Sequence, residues 1–258
     1  MKRLRFEFET KLEFSCGATD HSFTLRCIPI SDGRQTIAEP KCVILPRLGN
    51  IWRSRDSFGN TLICGRMEES HSGLSFKVEG EARTENTCES AGTAQPFYRA
   101  YSPLTAAGDK IISFYKENRP SGGDIRSRAE SLSEAVFSLM NYQSGITGVN
   151  TTAEEALSLG SGVCQDYAHI LLSLLRTDGI PCRYVSGLAF ECGQTHAWVE
   201  INDGSRWIGI DPTHNRYIGG GYIKLCHGRD YSDCPIERGI YIGNADSLQT
   251  VSSRITEQ

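Results

Sequence analysis

A thiol, an imidazole and a carboxylate stand in three separate stretches of this sequence, each where it could do chemistry. Cys164 follows two glycines in Gly160-Ser161-Gly162-Val163-Cys164-Gln165-Asp166. His196 opens the run Thr195-His196-Ala197-Trp198-Val199-Glu200-Ile201, and Asp211 closes Trp207-Ile208-Gly209-Ile210-Asp211. A thiolate attacks carbonyl carbon, an imidazole carries the proton, and a carboxylate fixes the imidazole's tautomer and orientation. Such a set makes and breaks acyl bonds, and the reaction needs neither a metal nor an organic cofactor.

Taken singly, each residue has a plainer explanation. Cys164 could be a buried structural thiol, His196 a satisfied histidine at a strand end, and Asp211, just before Pro212, the first residue of a turn. The elements that carry them decide the matter.

From Cys164 the spacing predicts a helix. Tyr167, Ile170, Leu171, Leu174 and Leu175 recur on one face, and Asp178-Gly179-Ile180-Pro181 supplies a left-handed cap and then a residue that cannot continue a helix. Cys164 therefore falls in the first turn, where unpaired N–H groups and the helix dipole favour a thiolate. Gly162 is expected to leave the backbone open to a close-approaching substrate. Gln165 is a candidate contributor to an oxyanion site, with a solvated first-turn residue as the alternative. An acid beside a thiolate opposes its ionisation, so Asp166 is expected to point away. His169 faces another direction and reads as a packing residue.

Asp203-Gly204 is a preferred two-residue hairpin turn between two alternating runs. If those two residues are the loop, 202 faces 205 and His196 faces Asp211 directly. Ala197, Val199, Ile201, Ile208 and Ile210 then point to the other face, the expected core. Trp198 shares the face of His196, either shielding the pair and lining a cleft or packing in the core. His214, just past the strand, reads as a surface residue.

With 258 residues the chain can bury a real core. A formal net charge of −4 offers no electrostatic footprint for nucleic acid or an anionic membrane surface. No apolar run approaches the roughly 20 residues of a membrane span, and the first residues lack the apolar stretch of a secretory leader. A cytoplasmic protein is expected. The ten cysteines contain no C-x-x-C pair, which favours free thiols over a disulfide framework. Cys226-His227 with Cys234 matches no common zinc spacing, so no metal site is expected.

Period-two alternation dominates residues 1–85, as in Leu4, Phe6, Phe8 and Leu74, Phe76, Val78. An N-terminal antiparallel β-sandwich is expected there. Residues 86–105 read as a small, polar linker ending in an aromatic cluster, Phe97, Tyr98 and Tyr101, that docks on a core. From 106 the period turns helical: one helix around Ile111–Tyr115, a second from Ile125 to Tyr142, and a third capped by Thr152 with Glu155 three residues on. Strands near 182–190, 196–201 and 206–212 follow the cysteine helix. Helices followed by antiparallel strands make 106–258 an α+β core with a C-terminal tail.

Taken together, GVCQDYAHILLSLLRTDGIPCRYVSG, THAWVEI and WIGIDPTHN resemble the transglutaminase-like cysteine enzyme superfamily in its bacterial two-domain form. GRDYSDCPIERGIYIG is similar to that family's C-terminal tail, and residues 1–85 to its N-terminal β domain. The resemblance implies a papain-like, transglutaminase-like core, with Cys164 as nucleophile and His196 and Asp211 in attendance. The expected activity is that of a cysteine peptidase or amidohydrolase acting on a peptide or protein. The alternatives are a transglutaminase-type amine acyltransferase and a non-catalytic interaction module.

Overall fold

The computed structural model describes residues 1–258 apart from Glu39, Leu48 and Glu191. The N-terminal alternation produces one long strand, β1 (Lys2–Leu25), whose Leu4, Phe6 and Phe8 are completely buried. Five strands follow: β2 (Gln35–Ile37), β3 (Lys41–Leu45), β4 (Ile51–Arg55), β5 (Thr61–Met67) and β6 (His71–Thr84). The first half of β1 pairs antiparallel with β6, the second half with β5, and the register shifts between Glu13 and Ala18. One strand thereby serves both halves of a curled antiparallel sheet, as expected where a strand turns a corner.

The chain then forms β7 (Glu89–Ala91), α1 (Asp109–Glu117), α2 (Ile125–Leu139), β8 (Asn141–Tyr142), α3 (Ala153–Leu159), β9 (Ser161–Gly162) and α4 (Cys164–Thr177). Thr152 caps α3 reciprocally: its hydroxyl accepts from Glu155 N, and Glu155 Oε2 accepts from Thr152 N. Gly160 closes α3 at φ +62°, a left-handed conformation that favours glycine. The remaining strands are β10 (Cys182–Ala189), β11 (Thr195–Asn202), β12 (Arg206–Asp211), β13 (Arg216–Tyr217), β14 (Tyr222–Gly228), β15 (Glu237–Ile242) and β16 (Ser247–Glu257).

A second antiparallel sheet runs β13-β12-β11-β10-β14. The other three helices pack around α4, which lies against β10 and β11. Ala197, Val199, Ile201, Ile208 and Ile210 project into this core, as their alternation predicts. Each fully buried Ile or Leu here contributes roughly 1.5–3 kcal/mol. The fold is α+β, with curled sheets. Among the described residues, no helix is long and apolar enough to cross a membrane.

Three expectations need correction. The C-terminal segment is not a tail of the core: β16 pairs with β1 from Leu4–Glu257 to Phe14–Ser247, and β15 pairs with β1 near Leu25. The physical reason is the second edge of β1, whose backbone groups must be satisfied once β6 has taken the first. The 86–105 segment is more than a linker, because β7 extends the second sheet by pairing with β12. Of its aromatic cluster only Tyr98 is buried, edge-on to Trp207, while Phe97 and Tyr101 stay exposed. The second helix ends at Leu139, short of Tyr142, which belongs to β8.

Candidate active site

Cys164 is the first residue of α4, and the chain reaches it under constraint. β9 pairs in parallel with β8, Asn141 beside Ser161 and Tyr142 beside Gly162. Asp166 then folds back over the helix start, where its Oδ2 accepts from Val163 N and from Thr147 Oγ1, each at 2.7 Å. Asp166 thus points away from solvent as a cap. Burial pushes its carboxyl upward against the pull of those two hydrogen bonds. Gly162 serves this cap and not an approaching substrate: a Cβ there would lie 2.4 Å from Asp166 Oδ2.

The hairpin carrying His196 and Asp211 differs from the sequence expectation by two residues. Asn202 faces Trp207 and Val199 faces Ile210, so the loop spans four residues, 203–206. The side chain of Asp203 closes it by accepting from Ser205 N and Arg206 N, a local alternative to the two-residue turn. A slip of one would have sent Asp211 to the other face; a slip of two does not. Asp211 therefore meets His196 diagonally, and His196 Nε2 lies 2.8 Å from Asp211 Oδ2. The other ring nitrogen, Nδ1, is the one left for a thiol.

Asp211 is fully buried and heavily subscribed. Besides His196, its Oδ2 meets His214 Nδ1 at 2.8 Å and accepts from the Tyr222 hydroxyl at 2.7 Å, while Oδ1 accepts from Thr213 N. Burial alone would raise the Asp211 carboxyl, but the His196 hydrogen bond and charge, with His214 and Tyr222, hold it well below the usual carboxylate range. Burial likewise disfavours protonation of His196. Its hydrogen bond to Asp211 and the neighbouring Cys164 and Cys192 thiols override this and push the imidazole up to about 12. Both shifts favour the carboxylate on Asp211 and the protonated ring on His196.

His196 shares a cleft of about 280 Å³ with Cys164, Gln165, Tyr184 and Ser186. The opposite wall comes from the curled sheet, through Thr10, Ile236, Glu237, Gln249 and Val251. Gln165 lines the cleft, with its Nε2 donating to Val149 O. Trp198 does not line it. The indole is completely buried under the site, edge-on to the Tyr222 ring, in space left by Gly187, where a Cβ would lie 2.3 Å from Trp198. His169 is buried, and its Nε2 accepts from Tyr231 N. Burial lowers it to about 4, so it stays neutral.

His196, Asp211 and His214 bring three potential metal-ligand atoms within 4.8 Å of one another. Both nitrogen–oxygen separations are 2.8 Å and fall on one carboxylate oxygen, the geometry of hydrogen bonds. Cys226, His227 and Cys234 form no such group among the described residues.

Two family descriptions match this chain. The bacterial transglutaminase-like N-terminal region covers residues 4–83, and the core of the transglutaminase-like superfamily covers 116–212. The chain thus carries a transglutaminase-like core region behind a bacterial transglutaminase-like N-terminal region. The core match spans Cys164, His196 and Asp211. An uncharacterized protein of Mycobacterium leprae is 28% identical over 99% of both chains. One from Mycobacterium tuberculosis H37Rv is 27% identical, covering 95% of this chain and 89% of its own. A crystal structure from Cytophaga hutchinsonii, presented as a candidate cysteine protease, superposes with a TM-score of 0.82. It covers all of this chain and 91% of its own at 20% identity, a likeness of fold.

Sequence reasoning did not find His214 or Tyr222 as partners of Asp211. His214 had a local signal, because a residue three past an Asp-Pro can turn back onto the aspartate. Tyr222 had none, since its approach depends on where β14 joins the sheet.

Proposed function

We propose that this protein is a thiol-dependent amide hydrolase, a cysteine peptidase working through Cys164, His196 and Asp211. One observation carries the reading. A cysteine at the head of a helix shares a cleft with a histidine whose far nitrogen is 2.8 Å from a buried aspartate. In this reading the Cys164 thiolate attacks the amide carbonyl. The backbone N–H groups of Cys164 and Gln165, at the open end of α4, stabilise the oxyanion. The Gln165 side chain flanks them, with one N–H already given to Val149. The His196 imidazolium protonates the departing amine, and Asp211 holds the ring in place throughout. Water then attacks the thioester, with His196 accepting its proton, and the free acid leaves.

Hydrolysis ranks above transfer to an amine because the cleft is open to water and polar side chains, including Ser144, Gln194, Thr195 and Gln249, share its lining with apolar ones. A peptide or protein is the proposed substrate, with no nucleic acid or membrane partner. A cytoplasmic setting is supported by ten cysteines that all stand as free thiols. The test is incubation with a peptide library, with and without added amines. Cleavage without amine, lost in Cys164→Ala, is the expected result. Incorporation of a dansylated amine into glutamines that outruns hydrolysis would turn the assignment toward a transglutaminase.

A further inference from the structure

The curled sheet contributes one ionisable group to the cleft, and among the described residues one oxygen of that group has no hydrogen-bond partner. Glu237 opens β15, where it pairs with Leu25 of β1, and its side chain lines the cleft that holds Cys164 and His196. Its Oε1 is buried and makes no hydrogen bond. No lysine or arginine is among the described residues lining the cleft. Two titratable neighbours lie close by and neither is a cation. Burial pushes the Tyr231 phenol up to about 12, so it remains uncharged. His21 Nε2 lies on the same side of Gly239 as Glu237 Oε1, and burial, helped by His71, lowers that imidazole to about 4. Glu237 itself is raised by burial, with nothing resident to oppose it.

Burying a carboxylate oxygen without a partner is costly, and a structural role would normally supply one from the protein. Glu237 itself lines the substrate cleft. From this geometry we infer that Glu237 determines specificity by binding a primary ammonium group carried by the peptide substrate. The inference rests on the thiol-hydrolase reading of the same cleft. An ammonium suits the position because it is compact and brings three donors, and the cleft is only about 280 Å³. The ammonium can come from a free N-terminus or from a lysine side chain, and both present the same chemistry to the carboxylate.

The first experiment needs no turnover. Cys164 is labelled with ammonioalkyl methanethiosulfonates of increasing chain length and with their neutral hydroxyalkyl counterparts, and modification is mapped by mass spectrometry. At one chain length the cationic reagent should react faster than its neutral partner. In Glu237→Gln that ratio should fall on the order of tenfold or more, the scale of a lost charge-assisted hydrogen bond. In Glu237→Lys the preference should pass to an anionic sulfonatoalkyl reagent. The second experiment compares fluorogenic peptides with a free N-terminus, with an acetylated N-terminus plus a lysine, and with neither. Whichever ammonium is recognised should lose kcat/KM in Glu237→Gln while the fully capped peptide keeps its own. A cationic preference unchanged in both Glu237 variants overturns the inference. Preferential labelling with no cleavage of any peptide overturns the hydrolase reading and leaves cation binding at Glu237 in place. A Cys164 that reacts with neither reagent overturns both.

Discussion

The same face of the second sheet carries two buried charged clusters, and they are built for opposite purposes. In one, Glu200 Oε2 accepts from Arg183 Nε at 2.6 Å and Lys224 Nζ at 2.7 Å, with Asp32 of the curled sheet 3.5 Å from the same lysine. In the other, Asp211 meets His196, His214 and Tyr222. Trp198, Val185 and Tyr222 belong to the apolar patch between them. Glu200 is partnered by a guanidinium and a lysine amine, and Arg183 also stacks 3.8 Å over Trp207. Asp211 is partnered by the imidazole of His196, a group that can carry a proton, in a cleft shared with the Cys164 thiol. A cluster of fixed charges can only hold parts together; a cluster of titratable ones can also move a proton. The first ties the two sheets to each other, helped by Arg34, which donates to the carbonyls of Gly219 and Tyr222.

Substitutions should separate the two roles. Cys164→Ala should lower amide cleavage by about 10⁴-fold or more with an unchanged melting temperature, and measurable turnover in that variant would remove the nucleophile. Asp211→Asn keeps the shape but not the charge, and should cost on the order of 10²- to 10⁴-fold in kcat. Glu200→Gln should do the reverse. By leaving Arg183 and Lys224 unmatched, it should lower stability by about 3–5 kcal/mol in denaturant melts, with kcat per folded molecule little changed. If Glu200→Gln impaired kcat as severely as Asp211→Asn, the division between the clusters would be lost.

Acid should distinguish the clusters more gently. The imidazoles of His169 and His227 are lowered by burial, from 6.5 to about 4 and about 2. Both are uncharged in the native state, while the unfolded chain takes up protons below 6.5. Their contribution is therefore complete above 6.5 and is lost as pH falls toward the native values, His169 alone accounting for on the order of 3 kcal/mol. His196 works in the other sense. Raised from 6.5 to about 12, its contribution is complete below 6.5 and is lost only as pH rises toward 12. Nitrogen-15 spectra of labelled histidine should show His196 as an imidazolium from pH 6 to pH 9, and a neutral ring at pH 7 would contradict the ion pair. The smallest effect belongs to Tyr222→Phe. With His196 and His214 still on Asp211, it should reduce kcat only about three- to tenfold, close to the net worth of one ordinary hydrogen bond.

How much of this was legible depends on the range over which each feature is determined. The cysteine helix could be read because its start, its apolar face and its Asp-Gly-Ile-Pro stop lie within one short stretch. The capping box at Thr152 and the alternation of β1 were equally local. The His196–Asp211 hairpin was read on the correct face but in the wrong register, because Asp203 closes a four-residue loop that competes with the Asp-Gly turn. Only parity protected the conclusion. The pairing of β16 with β1 had no comparable signal: among its eleven residues only Ile255 is buried, so the segment offers too few apolar residues for its alternation to mark a strand.

The sequence by itself determined which residues open the cysteine helix, which face of the hairpin looks to the core and which superfamily the chain resembles. Each follows from steric preference and periodicity acting over a few neighbours. The tertiary structure decided who joins Asp211, that Trp198 lies under the site, and that the far wall of the cleft comes from the first and last strands of the chain. Tyr222 reaches Asp211 because β14 lies beside β10, and Gln249 and Val251 reach the cleft because β16 closes the free edge of β1. Those placements satisfy backbone groups and fill volume between segments distant in sequence. Such constraints exist only once the sheets have formed, so no local pattern encodes them.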